Sequence, residues 1–143
     1  MLSGLLVLVA AVLAATAFGL YRRVRDGRVV PRPPRRRLRG ANLLVSPEEI
    51  GAPLGARATL LQFSTAFCAP CRSTRRTLAE VAAMVEGVAH VEVDAESRVA
   101  LVRRLGVVRT PTVFVLDAAG RVARSAQGAP RKADVIGALG EMF

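Results

Sequence analysis

The chain has 143 residues, of which 52% are hydrophobic, and it carries a formal net charge of +10. This length allows one small domain and an extension. The charge is uneven, because residues 21–40 contain nine arginines and one aspartate, whereas residues 41–143 contain twelve basic and ten acidic residues. No aromatic residue is interleaved among the arginines to stack on bases, so this tract does not favour a nucleic-acid partner.

Residues 1–20 carry no charged side chain and consist mostly of Leu, Val and Ala. As a helix rising about 1.5 Å per residue, this stretch would span roughly 30 Å, the thickness of a bilayer core. The alternative is a cleaved signal peptide, since residues 15–17 (Ala-Thr-Ala) offer a suitable site. No Lys or Arg precedes the apolar run, however, and the run is long for a signal. The sequence therefore predicts a single transmembrane anchor over residues 1–21.

Residues 22–40 are rich in arginine and proline, which predicts a stiff, charged linker that cannot continue a helix. Lys and Arg close to a membrane span tend to stay on the cytoplasmic side. We therefore expect a cell-membrane protein with its N-terminus outside and its C-terminal domain in the cytoplasm, with an extracytoplasmic domain as the alternative. Membrane lipid is an expected partner of residues 1–40, because anionic headgroups attract basic side chains.

From residue 41 the composition becomes that of a globular domain, beginning with a short helix capped by Ser46. The predicted elements that follow are a strand at 58–64, a helix after residue 70, a strand at 88–94, a helix at 97–105, a strand after Pro111, a strand at 121–126 and a helix at about 131–142. The strand, helix and strand that come first imply parallel pairing through a right-handed crossover. The four-residue turn at 117–120 predicts an antiparallel hairpin.

The only two cysteines, Cys68 and Cys71, lie between the first strand and the following helix. Pro70 suits the first turn of a helix, where its missing N–H has no intrahelical partner. Cys68 is thus expected at the helix N-terminus, where unpaired N–H groups and the helix dipole favour a thiolate. Cys71 continues the apolar stripe of the helix. The spacing predicts a reversible redox couple with Cys68 as nucleophile and Cys71 as the resolving thiol.

Other uses of two cysteines fit the sequence less well. Structural zinc needs four Cys or His ligands, and the chain has two Cys and one His. A structural disulfide over so short a loop would constrain the unfolded chain little. An iron–sulfur cluster would need ligands from a second chain. We therefore expect no metal and no cofactor besides the Cys68–Cys71 disulfide itself.

Several motifs occur in a characteristic order: Cys68-Ala69-Pro70-Cys71 between strand and helix, Val93-Asp94 at a strand end, and Thr110-Pro111-Thr112 before a strand. With the hairpin and the closing helix, they make residues 41–143 resemble the thioredoxin family. The arginine-rich tether and Phe67 before the pair resemble small membrane-anchored thioredoxin-like proteins of high-GC, actinobacterial-type bacteria. The resemblance implies an α/β thioredoxin fold, a central mixed sheet flanked by helices, preceded here by one transmembrane helix.

The resemblance also implies roles for residues outside the cysteine pair. Pro111 is expected to follow a cis peptide bond and to lie against the pair, and the backbone of Thr110 is expected to bind substrate by extended-strand pairing. The implied activity is thiol-disulfide oxidoreduction, and a domain in the cytoplasm, where thiols are kept reduced, would reduce protein disulfides. A thioredoxin-reductase-type enzyme or a low-molecular-weight thiol would donate electrons. The alternative is a membrane-tethered interaction module with little or no redox turnover.

This sequence departs from the family pattern at four positions. Phe67 stands where Trp is frequent and is expected to keep an apolar cover over the pair, and Ala69 stands where Gly is common. Gln62 occupies the position of a buried aspartate, and Gln cannot accept a proton as that general base does. His90 stands where a lysine often pairs with the aspartate, and it offers either a titratable nitrogen or a structural contact. The proton acceptor for Cys71 is left open between water and His90.

Overall fold

A computed structural model describes residues 2–25, 29–31 and 43–143, and the side chains of residues 6–22, 29 and 43–143. Most of the predicted linker therefore lies outside the described residues. The helices and strands are, in order, α1 (Leu2–Arg25), β1 (Val30–Pro31), α2 (Pro47–Ile50), β2 (Ala58–Ser64), α3 (Ala69–Met84), β3 (Val88–Asp94), α4 (Val99–Leu105), β4 (Thr112–Asp117), β5 (Val122–Gln127) and α5 (Lys132–Gly140).

The sheet has the strand order β1-β5-β4-β2-β3. β2 and β3 are parallel, as the crossover predicts, whereas β2–β4 and β4–β5 are antiparallel. These four strands form the mixed sheet of a thioredoxin α/β fold, which confirms the predicted fold class for the C-terminal domain. The two-residue β1 extends the sheet at its edge, where Val30 lies opposite Ser125.

β2 is buried along its whole length and separates two hydrophobic clusters. Because side chains alternate along a strand, Leu61 and Phe63 face one cluster, where Phe63 packs edge-to-face on Phe114 with ring centroids 5.8 Å apart. Leu60 faces the other cluster, beneath α3 and α5. Gln62 shares that second face, so the alternation of β2 places an amide under the helix that begins at the cysteines.

α3 presents one buried stripe to the sheet, consisting of Cys71, Thr74, Leu78 and Val81. The spacing of three and four residues keeps these side chains on a single helical face. Burying one leucine such as Leu78 stabilises the fold by about 2 kcal/mol. The stripe therefore fixes the rotation of α3, which holds Cys71 against the sheet and turns the N-terminal end of the helix towards solvent.

α1 covers the segment for which the sequence predicts a transmembrane anchor, and its described side chains, residues 6–22, are all exposed. Among the residues that the structure describes, no helix is long and apolar enough to cross a membrane, so the predicted transmembrane helix is not found there. α1 also runs to Arg25, four residues into the predicted linker. No Gly or Pro occurs between Tyr21 and Arg25 to end it, and arginine is a good helix former.

Candidate redox site

Cys68 and Cys71 are joined in a disulfide, with their Cα atoms 5.3 Å apart. Cys68 is the N-cap residue of α3, and Ala69 and Pro70 form the exposed first turn. Cys71 is only 2% exposed, whereas Cys68 is half-buried. A sulfur nucleophile arriving from solvent therefore reaches Cys68 first. The chain thus places one accessible and one shielded sulfur on the same helical turn.

Gln62 lies directly under the pair and is fully buried. Its Nε2 atom donates hydrogen bonds to the carbonyl oxygen of Cys71 at 3.0 Å and to Oγ of Ser64 at 2.8 Å. A carbonyl oxygen can only accept, so this contact fixes which end of the amide is the nitrogen. The Oε1 atom then faces Nε2 of His90 at 3.2 Å, and His90 must be the donor.

His90 therefore carries a proton on Nε2 whenever it makes this contact. Burial is the main reason why the pKa of His90 lies below its ordinary value of 6.5, and the positive charge of Arg75 lowers it further while Glu92 opposes the shift. The amide of Gln62 links this imidazole to the carbonyl oxygen of Cys71. Its Nε2 atom cannot accept a proton from Cys71 while it donates to Gln62.

Glu92 lies beside this network, since it is the register partner of Gln62 on β3. Its carboxylate pairs with the guanidinium of Arg75 on α3, with Nη2 and Oε1 2.9 Å apart. Burial pushes the pKa of Glu92 up, but hydrogen bonds from Arg75 and Ser64 outweigh it and hold the pKa below 4.5. The sequence motifs do not predict this ion pair between Glu92 and Arg75. The equal lengths of the strands predicted at 58–64 and 88–94 could have placed Glu92 next to Gln62.

A cleft of about 430 Å³ opens beside the disulfide, and both Cys68 and Cys71 line it. One wall runs from the last residue of β2 towards the cysteines and consists of three small residues, Ser64, Thr65 and Ala66. The cleft lies at the carboxyl ends of the parallel strands β2 and β3, which is where α/β sheets commonly bind ligands. Cys71 is therefore buried but still borders the cleft.

The other two walls of the cleft are charged. Arg72 and Arg75 line it from α3, and Glu92 and Asp94 line it from β3. One oxygen of Asp94, Oδ1, accepts a hydrogen bond from the backbone N–H of Glu96 at 3.0 Å. The cleft thus combines two cations and two carboxylates around a disulfide.

The residues predicted to bind substrate lie on a neighbouring loop. The Thr110–Pro111 peptide bond is cis, as the resemblance implies. The hydroxyls of Thr110 and Thr65 are 3.2 Å apart, which brings this loop to the segment that leads into the cysteines. β4 begins at Thr112, and no backbone partner of Thr110 lies among the described residues.

Phe67 differs from its expected placement. Its side chain is fully exposed, so it does not form an apolar cover over the cysteines. The physical reason is local, because α3 begins one residue after Cys68 and the preceding turn directs Phe67 away from the buried stripe. Val108, two residues before Thr110, is also 78% exposed. Two large apolar side chains are thus exposed, one directly before Cys68 and one in the loop that leads to Thr110.

The disulfide is the redox group of this site, and a thioredoxin fold needs no further cofactor for it. Within residues 2–25, 29–31 and 43–143, no group of three or more His, Cys, Asp or Glu side chains could hold a metal ion. The chemistry that the Cys68–Cys71 pair offers is thiol-disulfide exchange.

Comparisons with known proteins agree with the fold. No curated protein sequence matches the chain significantly. Solved structures that superpose on it include chloroplastic thioredoxin z, with 24% identity, 61% of this chain and 79% of that chain covered, and a TM-score of 0.55. Mitochondrial thioredoxin 3 from Saccharomyces cerevisiae, in its oxidised form, gives 16% identity, 59% and 78% coverage and a TM-score of 0.53.

The short form of thioredoxin f from spinach chloroplast gives 21% identity, 62% and 78% coverage and a TM-score of 0.54. These likenesses are of fold. The sequence model of the Thioredoxin family matches residues 48–141, which is more than half of the 143 residues and includes both cysteines and Pro111. The chain belongs to the thioredoxin family.

Proposed function

We propose that the protein is a thiol-disulfide oxidoreductase that reduces disulfide bonds of protein substrates. The observation that carries the proposal is the asymmetry of the pair: Cys68 is accessible at the N-terminus of α3, and Cys71, one turn later, is 2% exposed. A helix N-terminus favours the thiolate form of Cys68 once the pair is reduced. The first attack then belongs to Cys68 and the second to Cys71.

The reaction has two exchange steps. The Cys68 thiolate attacks one sulfur of the substrate disulfide, forms a mixed disulfide with it and releases the other substrate sulfur as a thiolate. The Cys71 sulfur then attacks Cys68, the mixed disulfide breaks, and the second substrate sulfur leaves as a thiolate. The substrate disulfide gains two electrons, and the protein is left with the Cys68–Cys71 disulfide seen here.

The loop at Thr110 supports binding of an extended substrate segment. Its unpaired backbone edge suits strand addition, in which main-chain hydrogen bonds supply affinity. Phe67 and Val108 offer exposed apolar surface to the side chains of such a segment. The substrate class that fits is therefore a protein or peptide disulfide in an extended, partly apolar segment.

The proton of Cys71 goes to water in this proposal. Gln62 cannot accept it, and Nε2 of His90 is engaged with Gln62 as a donor. Cys71 lines the cleft beside the disulfide, and water in this cleft is the proposed acceptor. Resolution is then expected to speed up as pH rises through the titration of the Cys71 thiol, with no separate contribution from a buried carboxylate.

A membrane surface is the proposed place of the reaction, with the domain in the cytoplasm. The described apolar side chains of α1 are exposed, and the nine arginines between residues 21 and 40 would be drawn to anionic headgroups by about 1 kcal/mol each. Fractionation of cells that make the full chain or residues 41–143 would test this. The full chain should sediment with membranes and resist protease added to spheroplasts. Recovery of both chains in the soluble fraction would contradict the proposal, and a carbonate wash would separate insertion from surface binding.

The activity itself is tested by insulin disulfide reduction with dithiothreitol as donor. The wild-type chain should turn over, Cys68→Ser should abolish turnover, and Cys71→Ser should accumulate a mixed disulfide with the substrate. Absence of turnover by the wild type with dithiothreitol and with a thioredoxin-reductase system would contradict the proposal. That outcome would support the interaction module with little or no redox turnover.

A further inference from the structure

We propose that the cleft beside the disulfide is a binding site for a low-molecular-weight thiol of amino-acid type, which carries a carboxylate and an ammonium group and donates electrons to the oxidised pair. The inference rests on the proposed function and adds the chemical class of the electron donor to it. Three observations support it: the size of the cleft, the charges on its walls and its position at the disulfide.

The size of the cleft suits a small molecule. Its volume of about 430 Å³ falls within the range of roughly 300–1,000 Å³ that small-molecule sites occupy. The space exists because Ser64, Thr65 and Ala66 follow one another without a large side chain to fill it. Ser64 is also held in place, since its Oγ accepts a hydrogen bond from the buried amide of Gln62. Ser64, at the β2 end of this wall, is therefore fixed before any ligand arrives.

The walls of the cleft carry one available charge of each sign. Arg75 and Glu92 neutralise one another as an ion pair. Arg72, on the helix wall, has no side-chain partner among the described residues and can bind a carboxylate. Asp94, on the strand wall, uses one oxygen for the backbone N–H of Glu96 and keeps the other for a cation. A molecule with a carboxylate and an ammonium group matches both walls, whereas a neutral thiol matches neither.

The position of the cleft brings such a ligand to the sulfur that must be attacked, because Cys68 and Cys71 both line it. The ligand thiolate attacks Sγ of Cys68, the Cys68–Cys71 bond breaks, and Cys71 leaves as a thiolate that takes a proton from water. A second ligand thiolate attacks the ligand sulfur of the mixed disulfide and frees the Cys68 thiolate. Two thiols are oxidised to one disulfide, and the protein pair gains the two electrons.

The test measures how fast thiols reduce the oxidised full-length chain. Glutathione, which has carboxylates and an ammonium group, is the probe, and uncharged 2-mercaptoethanol is the reference thiol. The chain has no Trp, so acid quenching, alkylation of free thiols and mass spectrometry replace fluorescence. The variants are Arg72→Ala and Asp94→Asn. The matched control is Arg76→Ala, which removes an exposed arginine of the same helix that does not line the cleft.

We expect Arg72→Ala and Asp94→Asn each to slow reduction by glutathione about three- to fivefold, the upper part of the range for the loss of one exposed charge contact. Reduction by 2-mercaptoethanol should stay within about twofold, and Arg76→Ala should leave both rates unchanged. Ala66→Phe, which narrows the cleft without altering its charge, should slow glutathione more than 2-mercaptoethanol. Comparing each variant with wild type for one thiol cancels the different acidities of the thiols.

Equal effects of the variants on both thiols would overturn the proposed donor site. So would the absence of amide shifts at Ser64, Thr65 and Ala66 when S-methylglutathione, which cannot react, is titrated into the oxidised protein. Insulin reduction driven by dithiothreitol distinguishes failure of the donor site from failure of the oxidoreductase activity. If it persists while the glutathione preference is absent, the oxidoreductase stands and the donor site falls, whereas loss of both would overturn the activity as well.

Discussion

Gln62 donates a hydrogen bond from Nε2 to the carbonyl oxygen of Cys71, 3.0 Å away, and so ties the central strand β2 to the first turn of the cysteine helix. The same amide serves Ser64 and His90, so every polar atom of this buried side chain has a partner. An amide does not titrate. The group beneath the redox pair is therefore neutral at every pH at which the protein works, and Gln62 acts through position instead of proton transfer.

Replacing Gln62 by leucine should lower the free energy of unfolding by about 2 kcal/mol, because it leaves buried partners such as the Nε2–H of His90 without a hydrogen bond. Urea denaturation of the oxidised chain, followed by far-UV circular dichroism, measures this. Gln127→Leu is the matched control, since Gln127 is exposed at the end of β5 and its loss should cost less than about 0.5 kcal/mol. Equal stabilities of the two variants would contradict the structural role of Gln62.

Much of this arrangement follows from the sequence, and the part that does not has identifiable causes. The resemblance to the thioredoxin family places Gln62 beneath the pair, and the helical spacing of Cys71 and Leu78 places the second cysteine against the sheet. The amide orientation needed the contact with the Cys71 carbonyl, which lies nine residues away in sequence. Such contacts depend on how the helix is rotated on the sheet, and local patterns do not report that rotation.

The exposure of Phe67 and the charged cleft also could not be predicted from local sequence patterns, because both depend on tertiary packing. The hydrophobicity of Phe67 favours a buried position, but its place in the turn before the helix directs it to solvent. No sequence motif predicts the cleft beside Cys68, because the cleft is space that the small side chains of Ser64, Thr65 and Ala66 leave unfilled. Volumes between elements are set by tertiary packing. The sequence therefore predicts the chemistry of the sulfur pair better than it predicts the surfaces that select its partners.

His90 should titrate below its ordinary pKa of 6.5, because burial disfavours the imidazolium. The unfolded chain then binds a proton to this residue at a higher pH than the folded chain does. Stability should be full above pH 6.5 and should fall as pH drops from 6.5 towards the lower folded-state pKa. Since His90 is the only histidine, one imidazole signal in an NMR titration reports its pKa directly.

The control for this titration is His90→Gln, which keeps a donor for Gln62 but does not titrate in this range. Its unfolding free energy should change less than that of the wild type between pH 7 and pH 5.5. The ion pair of Glu92 with Arg75 acts in a separate window, because the pKa of Glu92 lies below 4.5 and its contribution is lost only as pH falls further. A measured pKa of His90 at or above 6.5 would show that burial does not dominate at this site.

Phe67→Ser should raise the KM for a protein disulfide substrate about five- to tenfold, as expected for the loss of an exposed aromatic contact at a binding surface. The rate at which dithiothreitol reduces the Cys68–Cys71 disulfide should be unchanged, because the side chain of Phe67 is fully exposed and does not cover the disulfide. Val99→Ser is the matched control: it removes an exposed apolar side chain from α4. If both variants give the same KM as wild type, substrate does not contact this surface.

Residues 43–143 should fold without the N-terminal region. Both hydrophobic clusters lie within them except for Val29, which is partly buried against the cluster that contains Val135 and Leu139. β1 adds only two residues to the edge of β5. We expect the shortened chain to lose about 1–2 kcal/mol of unfolding free energy, which corresponds to one half-buried valine and its edge pairing, and to keep insulin reduction with dithiothreitol. A second chain that begins at residue 26 keeps Val29 and β1 and should match the full chain in urea denaturation. If the chain of residues 43–143 unfolds in buffer while the longer one is stable, β1 and Val29 are integral to the domain, and its boundary lies before residue 29.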